Sequence, residues 1–579
     1  MKRLLLATSC LIPFAAWGQS SPNWPTGYRP SAAEVNAEWA SKQDVNSKFA
    51  LYAINFGVKA DGVTPDGAAM TAAVTACSQQ GAALYLPRGQ INLDGQVAEM
   101  PLTNCNIIGV GVPAGKQNNV PSMGTTLLIK STSVAPFSTG NNWAMTGVNF
   151  FWPNQTTGTT VYPPLLKMDV DSCNWNFSYN IVANAYDFLA DSGAHCQGAW
   201  HINDNIIYAV HNAISSTGQG DTIFVSRNQF SPGPWLTLDP TNANAALPVV
   251  AALNTIFHVE ASVGKAWNII AMDDAMFAWR YAVRFDASGV MGLSDFSFVT
   301  DQVGTLIDTN SGGTWAAGNG FMVNGNCAVL NLAVGPAPPC FKLGTGSNIE
   351  VKNSSIAATG SLVETAGSNV TLQDVTTTSI GTFNDGAEYY GILTTVGGGT
   401  QIILQNNTLQ GNQLSNKAHV HGIHSTIAPA RLIVQNNRMN FFQEEIDIQS
   451  AATTIITGNW SVGTNGASSV LISGATGVQF ANNEFDKLDN SALSACGGAT
   501  LATGTFSGFF TVGATNPTTS CSLTFPFSLF GAGGGACQFQ QTSNLVLWAN
   551  ASGSPATWVV QSSADMHGQN VFFNCRATQ

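Results

Sequence analysis

Leu404-Gln405-Asn406-Asn407-Thr408-Leu409 is the stretch that decides the fold, because it comes back three times. Val434-Gln435-Asn436-Asn437-Arg438-Met439, Ile456-Thr457-Gly458-Asn459-Trp460 and Phe480-Ala481-Asn482-Asn483-Glu484-Phe485 repeat it at offsets of 30, 22 and 24 residues. Looser copies stand earlier, at Val225-Ser226-Arg227-Asn228-Gln229-Phe230 and Val351-Lys352-Asn353. Each unit is a short run of alternating apolar residues followed by Asn. Asn suits a corner because it tolerates a left-handed backbone and bonds its own main chain there. Periods in the twenties with strand-type alternation predict a β-solenoid, in which each coil leaves an apolar face open until the next covers it. A solenoid also stacks equivalent positions in columns.

Composition agrees. The chain has 579 residues, only 9% of them charged, and 58 glycines, which suits stacked strands and tight turns better than helices. A solenoid adds core coil by coil, so one long domain can exceed the usual single-core size. The formal charge is −12. Such a balance repels nucleic acid and membrane surfaces, and it disfavours a strongly anionic polymer unless a cation such as calcium bridges it.

Residues 1–18 read as a secretory signal peptide: Lys2-Arg3, an apolar run, then Ala16-Trp17-Gly18 before Gln19. Its removal takes the charge to −14, two lower, and leaves ten of the 11 cysteines, an even number in an oxidising route. The expected location is extracellular or periplasmic. Cys77 with Cys105, Cys173 with Cys196 and Cys327 with Cys340 form plausible local pairs, and Cys496, Cys521, Cys537 and Cys575 would pair among themselves. No close Cys-x-x-Cys argues for zinc.

After a Pro-rich stretch, residues 31–48 read as a short amphipathic helix, and residues 30–44 are similar to connectors near the start of phage tail fibres. From Ile54 the pattern is more specific. Asn55-Phe56-Gly57-Val58-Lys59-Ala60-Asp61-Gly62-Val63-Thr64-Pro65-Asp66 leads into a predicted helix over about 67–80 with Asp66 as N-cap. Ala83-Leu84-Tyr85-Leu86-Pro87-Arg88-Gly89 then reads as a strand and turn. This order resembles the entry segment of the pectate-lyase-like superfamily of right-handed parallel β-helices, which includes polygalacturonases, rhamnogalacturonases, polysaccharide lyases and phage tailspike depolymerases. The resemblance implies an all-β right-handed parallel β-helix over 51–490, with the helix capping the first coil. A linker and short helix over 19–50 would precede it. A disulfide-linked β domain over 491–579 would follow, similar to those ending many spike-like proteins and serving either sugar binding or trimerisation.

Three further strands suggest where chemistry sits: Phe257-His258-Val259-Glu260, Val283-Arg284-Phe285-Asp286 and Leu306-Ile307-Asp308. With Val259, Phe285 and Ile307 pointing inward, Glu260, Asp286 and Asp308 share one outward position in consecutive coils, flanked by His258 and Arg284. Asp239 would start the series. Neighbouring strands lie about 4.8 Å apart, so adjacent acids would be near 5 Å and alternate ones near 10 Å. Glycosidases use carboxyl pairs at roughly 5–5.5 Å for retention or 6.5–9.5 Å for inversion, so such a column can supply either. The same residues also fit a solvated polar face or partners of Arg284.

Asp273-Asp274 is a rival or supporting substrate-binding element. An Asp pair belongs to the polygalacturonase pattern, but the Asn-Thr-Asp, Gly-His-Gly and Arg-Ile-Lys elements do not occur here. His419, His421 and His424 are expected to be surface residues without a metal, since 424 falls on the opposite strand face from 419 and 421. Trp200, Trp235, Trp267 and Trp279 fit either sugar stacking or burial.

The leading expectation is a secreted glycoside hydrolase acting on a polysaccharide through two of Glu260, Asp286 and Asp308, with no cofactor. A polysaccharide lyase or epimerase on uronate chains is the second reading. It needs a base such as Arg284 or Lys265 and calcium on the same carboxylates. A non-catalytic glycan-binding spike or adhesin is the third. A homotrimer is compatible with all of them.

Overall fold

The computed structural model describes residues 50–483 apart from 112–123, 193–197, 218–221, 261–265, 287–289, 295, 310–314, 318–320, 328–336, 359, 383–385, 396–400, 413–418, 426–428, 450–452, 465–469, 474–477 and 482, together with strands between 493 and 577. The expected leader, the connector helix, Cys196, Lys265 and Cys496 lie outside the described residues.

From Ala50–Tyr52 to Val478–Ala481 every described strand pairs in parallel with the strand one coil away. The chain forms a right-handed parallel β-helix. One inward column makes the stacking concrete: Leu189, Ile214, Phe257, Val283, Ile307, Phe341, Val363, Ile392, Ile423 and Ile446 are in register from coil to coil. All of them are buried. Each such side chain contributes about 1.5–3 kcal/mol of apolar burial, and alternation sends the residue on either side of it outward.

The paired asparagines divide their work. Asn406 and Asn436 occupy the left-handed region at φ 56° and 54°, as Gly458 does at 69° in the third copy. The second residue of each pair is buried and joins coils: Asn407, Asn437, Asn459 and Asn483 form a ladder. Asn437 Oδ1 accepts from the backbone N–H and from Nδ2 of Asn407, both at 2.9 Å, while its own Nδ2 donates to the Leu404 carbonyl at 3.0 Å. The left-handed tolerance therefore explains the first Asn, and inter-coil bonding explains the second. An earlier ladder runs through Asn180, Asn205 and Asn228 and ends on Asp274.

The entry helix is Gly67–Gln80, and it buries Met70, Ala73, Val74 and Cys77. Asp66 precedes it as expected but does not cap it with its side chain. Its carboxylate instead accepts the N–H groups of Lys59 at 2.8 Å and Ala60 at 3.1 Å, bracing the turn before the helix. The disulfides Cys77–Cys105 and Cys327–Cys340 are formed. Cys173 is also disulfide-bonded.

Two short helices, Gly233–Leu238 and Pro240–Val250, interrupt the coils. Asp239 is the N-cap of the second, its carboxylate accepting the Asn242 N–H at 3.4 Å. It does not begin the acidic series. Trp200, Trp235 and Trp279 are fully buried, so they stack on the core and not on a ligand. The Trp267 side chain lies outside the described residues. After residue 490 the pairing becomes antiparallel, in two four-stranded sheets. Cys537 stands opposite Cys575 across one strand pair there.

Candidate functional site

The outward neighbours of the inward column form a wall. His258, Arg284, Asp308, Lys342 and Glu364 occupy one level of five successive coils. Asp308 therefore belongs to the His258–Arg284 column, and it is Thr309, not Ile307, that pairs with Phe285 and Val259. The sequence alignment was two residues out. A slip of two preserves alternation, so it leaves Asp308 outward and cannot be noticed from the pattern. The resulting column mixes charge signs, which stabilises stacked polar positions that a run of like charges would destabilise.

Glu260 and Asp286 are equivalent, each one residue beyond its strand. The N–H of Glu260 donates to the Ser216 carbonyl at 2.7 Å, and that of Asp286 to the Val259 carbonyl at 3.0 Å. His258 lies between their carboxylates, its Nε2 3.0 Å from Asp286 Oδ2 and 3.4 Å from Glu260 Oε1. Arg284 Nε sits 2.7 Å from the same Asp286 oxygen. His258, Glu260 and Asp286 bring three ligand-type atoms within 4.8 Å of one another, a set that fits a divalent cation by distance. The guanidinium already on Asp286 opposes one. Glu260 is half exposed, at 51% of its side chain.

Asp308 differs. Its side chain is 6% exposed, Lys342 Nζ approaches Oδ2 only to 3.8 Å, and Oδ1 has no hydrogen-bond partner among the described residues. Burial pushes this carboxyl above the usual range, against the pull of Lys342 and Arg284. Carboxyl groups in opposed environments on one wall are the arrangement from which acid and base roles are built.

The wall extends further than the sequence suggested. On the preceding coils His211 Nδ1 lies 2.9 Å from Asp187 Oδ1, and the Tyr186 ring stacks on the imidazole at 4.8 Å. The hydrogen bond to Asp187 raises the His211 pKa, outweighing partial burial, and the charge of Glu260 adds to it. A register shift in the strand carrying Asp187 broke the spacing that would have revealed this pair. Farther along, His421 is clamped between Glu388 and Glu444, both at 2.7 Å, and Tyr390 stacks on its ring. His419 also meets Glu388 at 2.7 Å, while His424 lies 3.0 Å from Asp447 and its ring is 5.6 Å from that of His421. The expected opposition of His424 to the other two does not hold.

Asp273 and Asp274 are not gathered into the wall. Asp274 is fully buried at the end of the asparagine ladder, where it receives the N–H of Asn228 at 2.7 Å, so it cannot touch a polymer. Asp273 is exposed at a left-handed corner, within 3.4 Å of the Ser297 hydroxyl.

Residues 53–242 match the family described as rhamnogalacturonase A/epimerase, pectate lyase-like. No curated protein matches the chain. Among solved structures it is similar to the Dettilon tailspike protein, at 13% identity over 96% of this chain and 98% of that one, with a TM-score of 0.36. A mutant tailspike protein of E. coli bacteriophage HK620 aligns at 9% identity over 92% and 94%, with a TM-score of 0.46. The A-module of Azotobacter vinelandii mannuronan C-5 epimerase AlgE6 aligns at 12% identity over 74% and 99%, with a TM-score of 0.30. The matched segment runs from the entry helix into the inserted helices, so it includes Asp187 and His211 and stops short of His258, Glu260, Asp286 and Asp308.

Proposed function

We propose that the protein is a secreted glycoside hydrolase that cuts a polysaccharide lying along this wall. The observation that carries the reading is Asp308: a buried carboxyl with an unbonded oxygen on an otherwise solvated face, one coil from an Asp286 carboxylate flanked by Arg284 and His258. One coil of lateral spacing and two residues along the strand separate their backbones by about 8 Å; inversion uses carboxyl groups roughly 6.5–9.5 Å apart, with a water molecule between acid and base. In that assignment Asp308 gives its proton to the leaving glycosidic oxygen as the carbon–oxygen bond breaks. The water that bonds to the anomeric carbon gives its proton to Asp286. Glu260, held through His258, positions that base. The disulfides fit an oxidising compartment.

Incubation with a panel of bacterial and plant polysaccharides, followed by mass spectrometry, tests this. Fragments heavier by one water per cut support hydrolysis. A second reading, elimination from a uronate chain, is favoured by the Arg284 and Lys342 cations along the same column, which would neutralise a sugar carboxylate. It would yield unsaturated products that absorb in the ultraviolet and carry no added water.

A further inference from the structure

Asp187, His211 and Tyr186 form a unit that the hydrolytic assignment leaves unused. Asp187 Oδ1 is fixed to the backbone, since it accepts the N–H of Asn212 at 2.9 Å, and the same oxygen lies 2.9 Å from His211 Nδ1. A carboxylate only accepts, so this contact places a proton on Nδ1. The Asn212 side-chain amide lies 3.0 Å from the same nitrogen. Tyr186 stacks on the imidazole at an interplanar angle of 22°, which fixes the ring plane. Nε2 is left without a hydrogen bond among the described residues, on a side chain that is 45% exposed. An ordinary surface ion pair needs neither a backbone-anchored carboxylate nor a stacked ring. Here both the proton position and the plane of the imidazole are set, and its strand pairs with the one that leads into Glu260.

We propose that Tyr186, Asp187 and His211 form a sugar-binding subsite adjoining the acidic centre, in which His211 Nε2 hydrogen-bonds a sugar hydroxyl. The ligand class is a neutral, hydroxyl-presenting face of a polysaccharide unit, because a sugar hydroxyl both donates and accepts and so pairs with Nε2 whichever role the ring takes, while the neighbouring Asp187 and Glu260 repel an anionic group. Asp187 acts as a positioning residue, through the tautomer and orientation it imposes. The inference rests on the reading of the wall as a polysaccharide site.

The test uses the full-length protein and diethyl pyrocarbonate, which acylates imidazole nitrogen, with peptide-resolved mass spectrometry. His201, which stacks on Phe224 in a separate strand stack, serves as the internal reference. Polysaccharide at about ten times its Kd should slow acylation of His211 about tenfold, as the bound fraction hides Nε2, and leave His201 unchanged. His211→Gln should raise KM about tenfold with kcat held, the signature of an interaction made equally in ground and transition states. Asp187→Asn should raise KM in the same direction. Unchanged acylation of His211 under saturating polysaccharide overturns the subsite, even if the polymer is cut. A polymer that binds without being cut removes the hydrolytic reading, and protection of His211 still decides the subsite. If no member of the panel binds, both fall.

Discussion

Replacing Asp274 by Asn should stabilise the protein above neutral pH. In the ladder above it, Asn180, Asn205 and Asn228 donate from Nδ2 to the carbonyls of Met145, Phe177 and Ile202. The equivalent atom of Asp274 is Oδ2, which is buried and has no hydrogen-bond partner among the described residues. Burial raises this carboxyl from 3.8 to about 7, with the N–H and amide of Asn228 working against the rise. The charges facing it are Asp273, which adds to the rise, and Arg227, which opposes it. A raised carboxyl binds its proton more tightly in the native state than in the unfolded chain. Its contribution is therefore fully present below the unfolded value and is lost as pH climbs through the folded one. About three units at 1.36 kcal/mol each give about 4 kcal/mol lost between pH 4 and just above 7. The amide introduced by the substitution does not titrate and restores the missing donor, so Asp274→Asn should match the wild type at pH 4 and exceed it by about 4 kcal/mol at pH 8. Urea unfolding followed by tryptophan fluorescence at several pH values measures the difference, and the other carboxylates cancel because both proteins share them. Parallel stability curves, or a variant weaker than wild type at pH 8, would refute the reasoning.

Other outcomes follow from the same structure. Asp308→Asn and Asp286→Asn should each lower the turnover of a cleaved polysaccharide by about 10²-fold or more, as measured by initial rates beside a denaturation curve that shows each variant folded. Asn437→Ala should cost about 3 kcal/mol in urea unfolding, because it strips partners from buried groups of Asn407, Leu404 and Asn459, whereas Asn436→Gly at the exposed left-handed corner should stay within about 0.5 kcal/mol. For His421, burial lowers the pKa but Glu444 and Glu388 raise it further, so the net direction is up from 6.5. The stability it supplies is present below that value and lost as pH rises through the folded one, and His421→Gln should flatten this loss in a pH series of unfolding curves.

Much of the architecture was legible because it is written in alternation and repeat. Leu404, Val434, Ile456 and Phe480 mark coil after coil, and the stretch from Ile54 to Gly89 announces the entry helix and first strands. The site was legible only in part. Glu260, Asp286, His258 and Arg284 meet as expected, since local alternation fixes which residues leave the core together. Asp308 reached the right wall at the wrong level, because a two-residue slip is silent in a period of two. Asp187 and His211 were hidden by a bulge, and the inserted helices that turn Asp239 into an N-cap carry too few periodic residues to be seen. The burial of Asp274 was hidden for another reason. An Asp in the place of Asn reads as a surface acid until the ladder around it is drawn.

The central claim is that opposed carboxyl groups on one wall of the β-helix hydrolyse a polysaccharide. Mass spectrometry of products from wild type and Asp308→Asn, incubated side by side with the same panel, tests it most directly. Fragments carrying one added water per cut from the wild type, and none from a variant that still binds the polymer, are the predicted result. Equal fragmentation by both proteins, or binding by the wild type with no fragments at all, would contradict it.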